Sequence, residues 1–268
     1  MSRSAILLVG GMGTRLHPLT LSIPKPMLPV AGVPFTEHQI VKAREAGITQ
    51  IVLATAFKAE IFKPYFGDGS NFGIEIKYAV EESALGTGGA IRNAANELTQ
   101  DGPVAIFNGD VLTGHDLNGQ FNFHEENKAG VSLYLTKVPD ARAFGAVELD
   151  SANRVTAFNE KMENPPTNIV NAGCYIFESS VINSIPKDKV ISVERYTFPE
   201  LISRGGKIFG FVDCSYWLDI GTPKALLKGS IDLVKGKASS DALDRYKFAH
   251  RDQHFLSLSE SITGEISG

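Results

Sequence analysis

The 268-residue sequence has few of the features that mark secreted or membrane proteins. Its two cysteines, Cys174 and Cys214, are too few for a disulfide framework and lack the spacing of a metal site, so they are typical of thiols in a reducing compartment. No apolar run approaches the length of a membrane-spanning helix. The apolar run at 5–9 is too short for the core of a signal peptide. We therefore expect a cytoplasmic protein that does not interact with membranes.

Strong positive charge is also lacking. The formal net charge is −4 at pH 7, whereas a protein that binds the backbone of nucleic acids is normally far more basic. Hydrophobic residues make up 43% and charged residues 21% of the chain, as in ordinary globular proteins. These values exclude a disordered chain and predict a sizeable core without a nucleic-acid partner.

Strand and helix patterns alternate through the first half of the chain. Continuous apolar runs that end at glycine or asparagine predict buried strands, and amphipathic stretches between them predict helices. The predicted strands are 5–9, 50–56, 74–80 and 103–107, and the predicted helices are 34–46, 59–66 and 89–98. This alternation favours an α/β fold, with a mixed, mostly parallel sheet flanked by helices.

The second half is richer in strands and ends in a less regular segment. It contains predicted strands at 131–137, 146–149, 154–158 and 172–177, and predicted helices at 198–203 and 223–235. No linker-like stretch divides the chain before residue 230. We therefore predict one domain over 1–230 and a C-terminal tail over 231–268.

A glycine-rich loop, GGMGTR at 10–15, directly follows the first predicted strand. Glycines at such a position let backbone N–H groups approach an anion closely. The loop is not a P-loop, because the required Gly-Lys-Ser/Thr is absent, and it is not a dinucleotide fingerprint, because position 16 is Leu16. A phosphate-binding loop that ends in Arg15 remains, with a plain tight turn as the alternative.

Lys25 lies between two prolines shortly after this loop. Because prolines stiffen the backbone on both sides, they hold the ammonium group in a defined place. Together with Arg15 it would supply the two cations that a polyphosphate substrate needs, although a solvated loop lysine is the alternative. The glycines at 85–89 would likewise let a flat base lie against the backbone, or simply form a flexible loop.

Asp110 ends the segment Asn108-Gly109-Asp110, at the carboxyl end of the fourth predicted strand. Ligands bind at this edge in open α/β sheets, and carboxylates there can hold Mg²⁺ together with substrate phosphates. Asp219 is a second carboxylate that could meet the same ion. A simple turn is the alternative for Asn108-Gly109-Asp110.

Taken together, these motifs resemble the sugar-phosphate nucleotidyltransferases over residues 4 to about 230. The matching segments, in the order of the family, are GGMGTRLHPLT at 10–20, PKPMLP at 24–29, the loop at 81–89, NGD at 108–110, FG at 144–145, EK at 160–161, NAG at 171–173, SVER at 192–195 and WLDIGTP at 217–223. The resemblance implies the nucleotide-diphospho-sugar transferase fold, which is Rossmann-like. It also implies the transfer of a nucleoside monophosphate from a nucleoside triphosphate to a sugar 1-phosphate, with release of pyrophosphate.

The resemblance also implies roles for individual residues. Arg15, Lys25 and Asp110 would be catalytic, and Asp110 and Asp219 would ligate Mg²⁺. The implied nucleotide-binding residues are Leu8, Gly10, Gly11, Gly13, Thr14, Glu81 and Gly86. The implied sugar-phosphate-binding residues are Gly145, Glu160, Lys161, Asn171 and Glu178.

The guanylyltransferase branch of the family, which uses GTP and mannose 1-phosphate, is the closest match. Transfer from UTP or dTTP to glucose 1-phosphate is the alternative, and a non-catalytic sensor of nucleotide sugars is another. The loop at 81–89 departs from the guanylyltransferase pattern, with Ala84 in place of proline and Gly88 in place of alanine. The extra glycine is expected to loosen the loop and to weaken base specificity.

Two further expectations follow from the resemblance. Many relatives carry a C-terminal left-handed β-helix, and residues 262–268 could form its first turn. Relatives also often assemble as dimers or tetramers, so a homo-oligomer is compatible with the resemblance.

Overall fold

The computed structural model describes residues 3–11, 13–55, 59–81 and 83–244. Its strands are β1 (Arg3–Leu8), β2 (Pro29–Val30), β3 (Val33–Pro34), β4 (Ile48–Thr55), β5 (Glu75–Val80), β6 (Val104–Asn108), β7 (Val111–Thr113), β8 (Val131–Lys137), β9 (Gly145–Leu149), β10 (Val155–Glu160), β11 (Ile169–Phe177), β12 (Ile208–Val212) and β13 (Trp217–Asp219). Its helices are α1 (Phe35–Glu45), α2 (Ala59–Phe66), α3 (Gly86–Ala94), α4 (Leu117–Glu126), α5 (Ser179–Ser184), α6 (Phe198–Ser203) and α7 (Pro223–Val234).

Nine strands form the main sheet, which contains the path β10-β9-β11-β6-β1-β4-β5. The neighbours β6, β1, β4 and β5 run parallel, whereas β11 runs antiparallel to β6. Strand β8 joins β11, and β12 pairs with β8. The predicted Rossmann-like mixed sheet flanked by helices is confirmed.

The continuous apolar run in β1 reflects burial on both faces of the sheet. Ala5 and Leu7 belong to one hydrophobic core, which also contains Ile40 of α1. Ile6, between them, faces a second core on the opposite side, together with Ile91 of α3. Because side chains alternate along a strand, both sets are buried at once, and the sheet is fixed between two layers of helices.

Several elements were not predicted from the sequence. These are the hairpin of β2 and β3, strands β7, β12 and β13, and helices α4 and α5. Helix α4 does carry a local signal, since the carboxylate of Asp116 caps its N-terminus and accepts a hydrogen bond from Gly119 N at 2.9 Å. Strands β7 and β13 are three residues long, and they are strands only because they pair with each other.

The predicted boundary at residue 230 falls inside α7, which continues to Val234. Beyond residue 230, Leu233 and Ala238 belong to the same hydrophobic cluster as Phe35, and Ala242 belongs to that of Val33. The rest of the predicted tail, 245–268, with the proposed β-helix turn, lies outside the described residues. Within the described ranges, no helix combines the length and apolar character needed to cross a bilayer.

A matched pair of substitutions tests the assignment of the core. Ile106 in β6 is fully buried, whereas Ile231 in α7 is 39% exposed. We expect Ile106→Ala to lower the free energy of unfolding by about 2–5 kcal/mol, because it leaves a cavity between packed layers. Ile231→Ala should change it by less than about 0.5 kcal/mol. Urea unfolding of both variants measures the difference, and equal losses would contradict this packing.

Candidate active site

The carboxyl ends of β1 and β6 lie side by side at one edge of the sheet. Leu8 pairs with Asn108 across the two parallel strands, and Gly109 N donates a hydrogen bond to Leu8 O at 3.0 Å. The backbone contact is so close that a Cβ built on Gly109 would lie 2.3 Å from Leu8 O. The glycine-rich loop after β1 and Asp110 after β6 are thereby brought together.

Lys25 contacts both of these segments. Its Nζ lies 2.5 Å from Oδ2 of Asp110, and its side chain is 10% exposed. Its Cβ packs so closely on Gly13 that a side chain at Gly13 would overlap it. Thr20 Oγ1 also donates a hydrogen bond to Gly13 O at 2.8 Å. The ammonium group is therefore held beside the glycine-rich loop and is not a solvated loop lysine.

A two-stranded ribbon places Asp219 beside Asp110. Strands β13 and β7 pair antiparallel, with Asp219 opposite Val111, and Ile220 N donates a hydrogen bond to Asp110 O at 2.9 Å. Burial, and then the charge of Asp110, raise the pKa of Asp219 above its usual value, although the charge of Lys25 opposes this shift. The two carboxylates therefore form an acidic pair at the edge of the sheet.

Arg15 reaches the same place from the other side of the loop. It lies in a 3₁₀ turn, Thr14–Leu16, and its side chain is exposed. A Cβ built on Gly221 would lie 2.7 Å from Arg15 Nη2 and 2.7 Å from Asp219 Oδ1, so Gly221 leaves room for the guanidinium to approach the carboxylate. Two cations and two carboxylates thus converge from four separate parts of the sequence.

The acidic pair has the chemistry of a magnesium site that substrate phosphates complete. Mg²⁺ is commonly held by one or two carboxylates together with phosphate oxygens, and the mutual repulsion of Asp110 and Asp219 favours a cation between them. No cluster of three or more His, Cys, Asp or Glu suited to a metal ion occurs in the described part of the chain. The two carboxylates could therefore hold such an ion only together with further ligands, such as phosphate oxygens.

The loop at 81–89 is anchored and not loosened. Leu85 N donates a hydrogen bond to Glu81 Oε2 at 3.0 Å, and burial raises the pKa of the Glu81 carboxyl. Gly86 has a φ of +70°, and Gly88 N donates to Ile191 O at 2.7 Å. A Cβ on Gly88 would lie 2.8 Å from Cγ2 of Ile191, so the glycine permits close packing. The expectation that Gly88 loosens this loop is therefore corrected.

The segment 192–195, one of the motifs of the resemblance, is hydrogen-bonded to Thr87 in this loop. Glu194 Oε2 accepts hydrogen bonds from Thr87 Oγ1 at 2.9 Å and from Ser192 Oγ at 2.7 Å. Val193 N donates to Thr87 Oγ1 at 2.9 Å. These contacts fix the start of α3, and they give Ser192 and Glu194 a structural role that their motif alone did not reveal.

Three of the predicted sugar-binding residues, Gly145, Glu160 and Asn171, lie on β9, β10 and β11, and Lys161 directly follows β10. Glu160 pairs with Gly145 across β10 and β9, and Lys161 Nζ lies 3.4 Å from Glu160 Oε1. Asn171 is already engaged within β11, where it donates to Tyr175 OH at 2.8 Å and accepts from Gly173 N at 3.1 Å. Since β11 pairs with both β6 and β9, it connects this group to the edge that carries Asp110.

The structure does not bring Glu178 close to the other predicted sugar-binding residues. It follows Phe177, which pairs with Val104 at the opposite end of β6 from Asn108. Four residues of strand separate these ends, a distance of about 13 Å. Glu178 Oε1 instead lies 3.2 Å from His124 Nε2 on α4. We therefore do not retain Glu178 as a sugar ligand.

Two side chains support the site through contacts that the sequence did not predict. Gln39 of α1 donates a hydrogen bond from Nε2 to Asn108 O at 2.7 Å and so holds the backbone that leads to Asp110. Trp217 donates from Nε1 to Ala172 O at 3.0 Å and connects the β13 ribbon to β11. Neither a glutamine within a helix nor a tryptophan at the start of a three-residue strand carries a local sign of such a contact.

Comparison with known proteins gives consistent results. A family model described as nucleotidyl transferase matches residues 4–236. The chain is 53% identical to mannose-1-phosphate guanylyltransferase of Mycobacterium tuberculosis, over 89% of this chain and 67% of that protein. It is 35% identical to mannose-1-phosphate guanyltransferase of Debaryomyces hansenii, over 91% of this chain and 69% of that protein. The chain thus spans about two thirds of the length of these relatives.

A solved structure shares the fold. HddC from Yersinia pseudotuberculosis superposes with a TM-score of 0.73 at 28% identity, over 87% of this chain and 99% of that chain. Its complex with GMP-PN superposes with a TM-score of 0.71 at 27% identity, over the same shares of the two chains.

Removing one carboxylate of the acidic pair should stabilise the protein at neutral pH. Because the pKa of Asp219 is raised in the folded state, its ionisation costs stability above that pKa, and the cost disappears as the pH falls below its unfolded value. We expect Asp219→Asn to raise the free energy of unfolding at pH 7.5, and the gain to shrink towards pH 3. Urea unfolding at both pH values tests this expectation. Asp101→Asn, at an exposed position, serves as the control, and a lower stability of Asp219→Asn at pH 7.5 would contradict the repulsion.

Proposed function

The chain belongs to the nucleotidyl transferase family, and on that premise we propose that it makes GDP-mannose from GTP and mannose 1-phosphate, with release of pyrophosphate. The observation that carries the substrate choice is the 53% identity to a mannose-1-phosphate guanylyltransferase over 89% of the chain. The transfer chemistry is supported by the convergence of Arg15, Lys25, Asp110 and Asp219 at the carboxyl edge of the sheet.

In the proposed reaction an oxygen of the sugar phosphate attacks the α-phosphorus of the nucleotide. A new bond forms between them, the bond from the α-phosphorus to the bridging oxygen breaks, and pyrophosphate leaves with the electron pair. Both reactants are anions, so the barrier is mainly electrostatic and positional. The reaction needs cations and orientation, and it needs no nucleophilic side chain.

Lys25 and Arg15 would offset the charge of the triphosphate. The ammonium of Lys25 is held beside Asp110, so binding of phosphate only has to complete an arrangement that already exists. Arg15 is exposed and free to lie along the phosphates, and its guanidinium can contact two oxygens at once. Lys161, whose side chain is 62% exposed, would hold the phosphate of the sugar.

We further propose that Mg²⁺ is the cofactor and that Asp110 and Asp219 hold it. When bound, it would neutralise phosphate charge and so favour the attack. Asp219 ends β13, and Asp110 immediately precedes its partner strand β7. Burial, and then the charge of Asp110, raise the pKa of Asp219, and a cation would relieve this effect of charge.

The rest of the proposed site consists of two groups of residues. Backbone near the ends of β1 and β5 would hold the nucleotide, through Leu8, Gly10, Gly11, Gly13, Thr14, Glu81 and Gly86. Residues on β9, β10 and β11 would hold the sugar, through Gly145, Glu160 and Asn171. Because the side chain of Asn171 already bonds Tyr175 and Gly173, its role is mainly to shape this wall.

Substitution of either member of the ion pair should disable transfer. We expect Lys25→Ala and Asp110→Ala each to lower turnover at least about a hundredfold, comparable with the loss of one preorganised transition-state group. Pyrophosphate release at saturating GTP and mannose 1-phosphate measures the effect. Lys187→Ala and Asp101→Ala, at exposed positions, are the controls. Near-normal turnover of a folded Lys25→Ala or Asp110→Ala protein would defeat the assignment.

The substrate choice is tested by a grid of nucleotides and sugars. GTP, UTP, dTTP, ATP and CTP are each combined with mannose, glucose, N-acetylglucosamine and galactose 1-phosphates, and pyrophosphate is measured. We expect one dominant combination, GTP with mannose 1-phosphate, because the loop at 81–89 is anchored by Ile191 and Glu194. Dominance of UTP or dTTP with glucose 1-phosphate would favour the alternative enzyme. A folded protein that binds GDP-mannose but releases no pyrophosphate would favour the sensor.

The predictions of a cytoplasmic location and of a homo-oligomer stay predictions. Size-exclusion chromatography with light scattering determines the oligomeric state directly.

A further inference from the structure

Three side chains of helix α1 share one feature, because each donates a hydrogen bond to a backbone carbonyl of a segment distant in sequence. The bonds are Thr36 Oγ1 to Pro26 O at 2.8 Å, Gln39 Nε2 to Asn108 O at 2.7 Å and Lys42 Nζ to His115 O at 2.8 Å. Residues three positions apart are neighbours on the surface of a helix, and each such step rises about 4.5 Å along its axis. Helix α1 therefore connects three segments that do not follow one another in the chain.

The first of these bonds holds the turn that carries Lys25. Pro26 directly follows Lys25 in the same 3₁₀ turn, and its bond to the fully buried Thr36 is itself buried. Phe35 N also donates to Leu28 O at 3.1 Å. The start of α1 is therefore attached to this turn at two points, and a shift of one would move the other.

The second bond holds the segment that leads to Asp110. Asn108 ends β6 shortly before Asp110, and its carbonyl accepts the bond from Gln39, which is 7% exposed. Ile40, beside Gln39, belongs to the same hydrophobic core as Leu7 of β1. The helix is thus packed on the sheet, and its donors have fixed places relative to the ends of the strands.

The contact between Lys25 and Asp110 joins side chains from these two segments, with Nζ 2.5 Å from Oδ2. Thr36 and Gln39 hold the backbone of both segments from neighbouring positions on one helix. Where a barrier is mainly positional, displacing a group by about 1 Å can cost about a hundredfold in rate. The spacing of the two donors therefore bears directly on the chemistry.

We propose that Thr36 and Gln39 are positioning residues for nucleotidyl transfer, which hold the Lys25 turn and the backbone before Asp110 at the separation that the reaction needs. Both side chains are buried, so neither would touch a substrate. Thr36 would act through Lys25 and Gln39 through Asp110, so the proposal rests on the proposed function.

Steady-state kinetics of substituted proteins tests the proposal. Thr36→Val keeps the shape of the side chain and removes its donor, and Gln39→Met does so approximately. We expect each to lower kcat for pyrophosphate release at least about tenfold, because Lys25 and Asp110 lose their alignment. The KM for GTP should change less than about threefold, since the lost effect belongs to the transition state. Thr36→Ser retains the hydroxyl and should restore kcat to near the wild-type value.

Gln50 provides a matched control for the loss of a buried amide. It is fully buried, and its Nε2 donates to Glu75 Oε2 at 2.7 Å. It pairs with Ser4, at the opposite end of β1 from Leu8. Gln50→Met should therefore lower the free energy of unfolding, as Gln39→Met does, but leave kcat unchanged. An equal fall of kcat in both variants would overturn the proposal, because the effect would then be one of stability alone.

A double substitution tests whether Gln39 acts through Asp110. Effects that pass through one shared group are not additive. Gln39→Met should therefore lower the residual turnover of the Asp110→Ala protein by less than about twofold. A further loss as large as that in the wild-type protein would contradict the proposed route.

Backbone hydrogen exchange of the full chain, measured by mass spectrometry, gives a readout that needs no catalysis. The amides at 27–28 are hydrogen-bonded within the 3₁₀ turn, and the amide at 109 is bonded to β1. Thr36→Val should speed exchange at 27–28, and Gln39→Met should speed it at 109, because each removes the bond that holds that segment. Gln50→Met should do neither.

Activity and exchange together distinguish failure of this proposal from failure of the proposed function. A folded Thr36→Val or Gln39→Met protein with near-normal kcat would overturn the proposal, and so would exchange that neither substitution changes. A wild-type chain that releases no pyrophosphate with any substrate pair, although exchange responds as expected, would overturn the proposed function but not the anchoring of both segments by α1.

Discussion

Asp110 and Asp219 repel each other, and the backbone holds them together all the same. Asp219 ends the three-residue strand β13, and Asp110 immediately precedes β7, the three-residue strand that pairs with β13. Burial, and then the charge of Asp110, raise the pKa of Asp219. The proximity of these two carboxylates therefore costs folding stability, as is common at sites that hold charged groups in position for a ligand. The close contact of Lys25 with Asp110 and the approach of Arg15 past Gly221 partly offset that repulsion.

The two hydrophobic cores explain how the edge of the sheet that carries these two carboxylates remains in place. Strands β1 and β6 are buried on both faces between helical layers, so their carboxyl ends move little relative to each other. The glycine-rich loop and Asp110 are held in place for the same reason, because each follows the end of a buried strand. Trp217 then ties the β13 ribbon to β11. A site for polyphosphate chemistry needs this arrangement, since positioning supplies much of the catalysis.

Gln39 supports the site from helix α1. Its amide nitrogen donates to the carbonyl of Asn108, while its oxygen is buried without a donor among the described residues. An apolar side chain could not make this bond, so the polar side chain of Gln39 holds the backbone that leads to the acidic pair.

The sequence by itself determined the alternation of strands and helices, because burial on both faces leaves continuous apolar runs such as that of β1. It also indicated candidate residues for the chemistry, since the glycine-rich loop, Lys25 and Asp110 all follow local patterns with a physical reason. It did not reveal β7 and β13, the bonds of Gln39 and Trp217, or the packing of Gly88 on Ile191. These depend on contacts between residues distant in sequence, and a three-residue strand or a buried glutamine has no local signature. For the same reason only the tertiary structure decided that Glu178 lies at the far end of the sheet, because the antiparallel direction of β11 carries it away from Asp110.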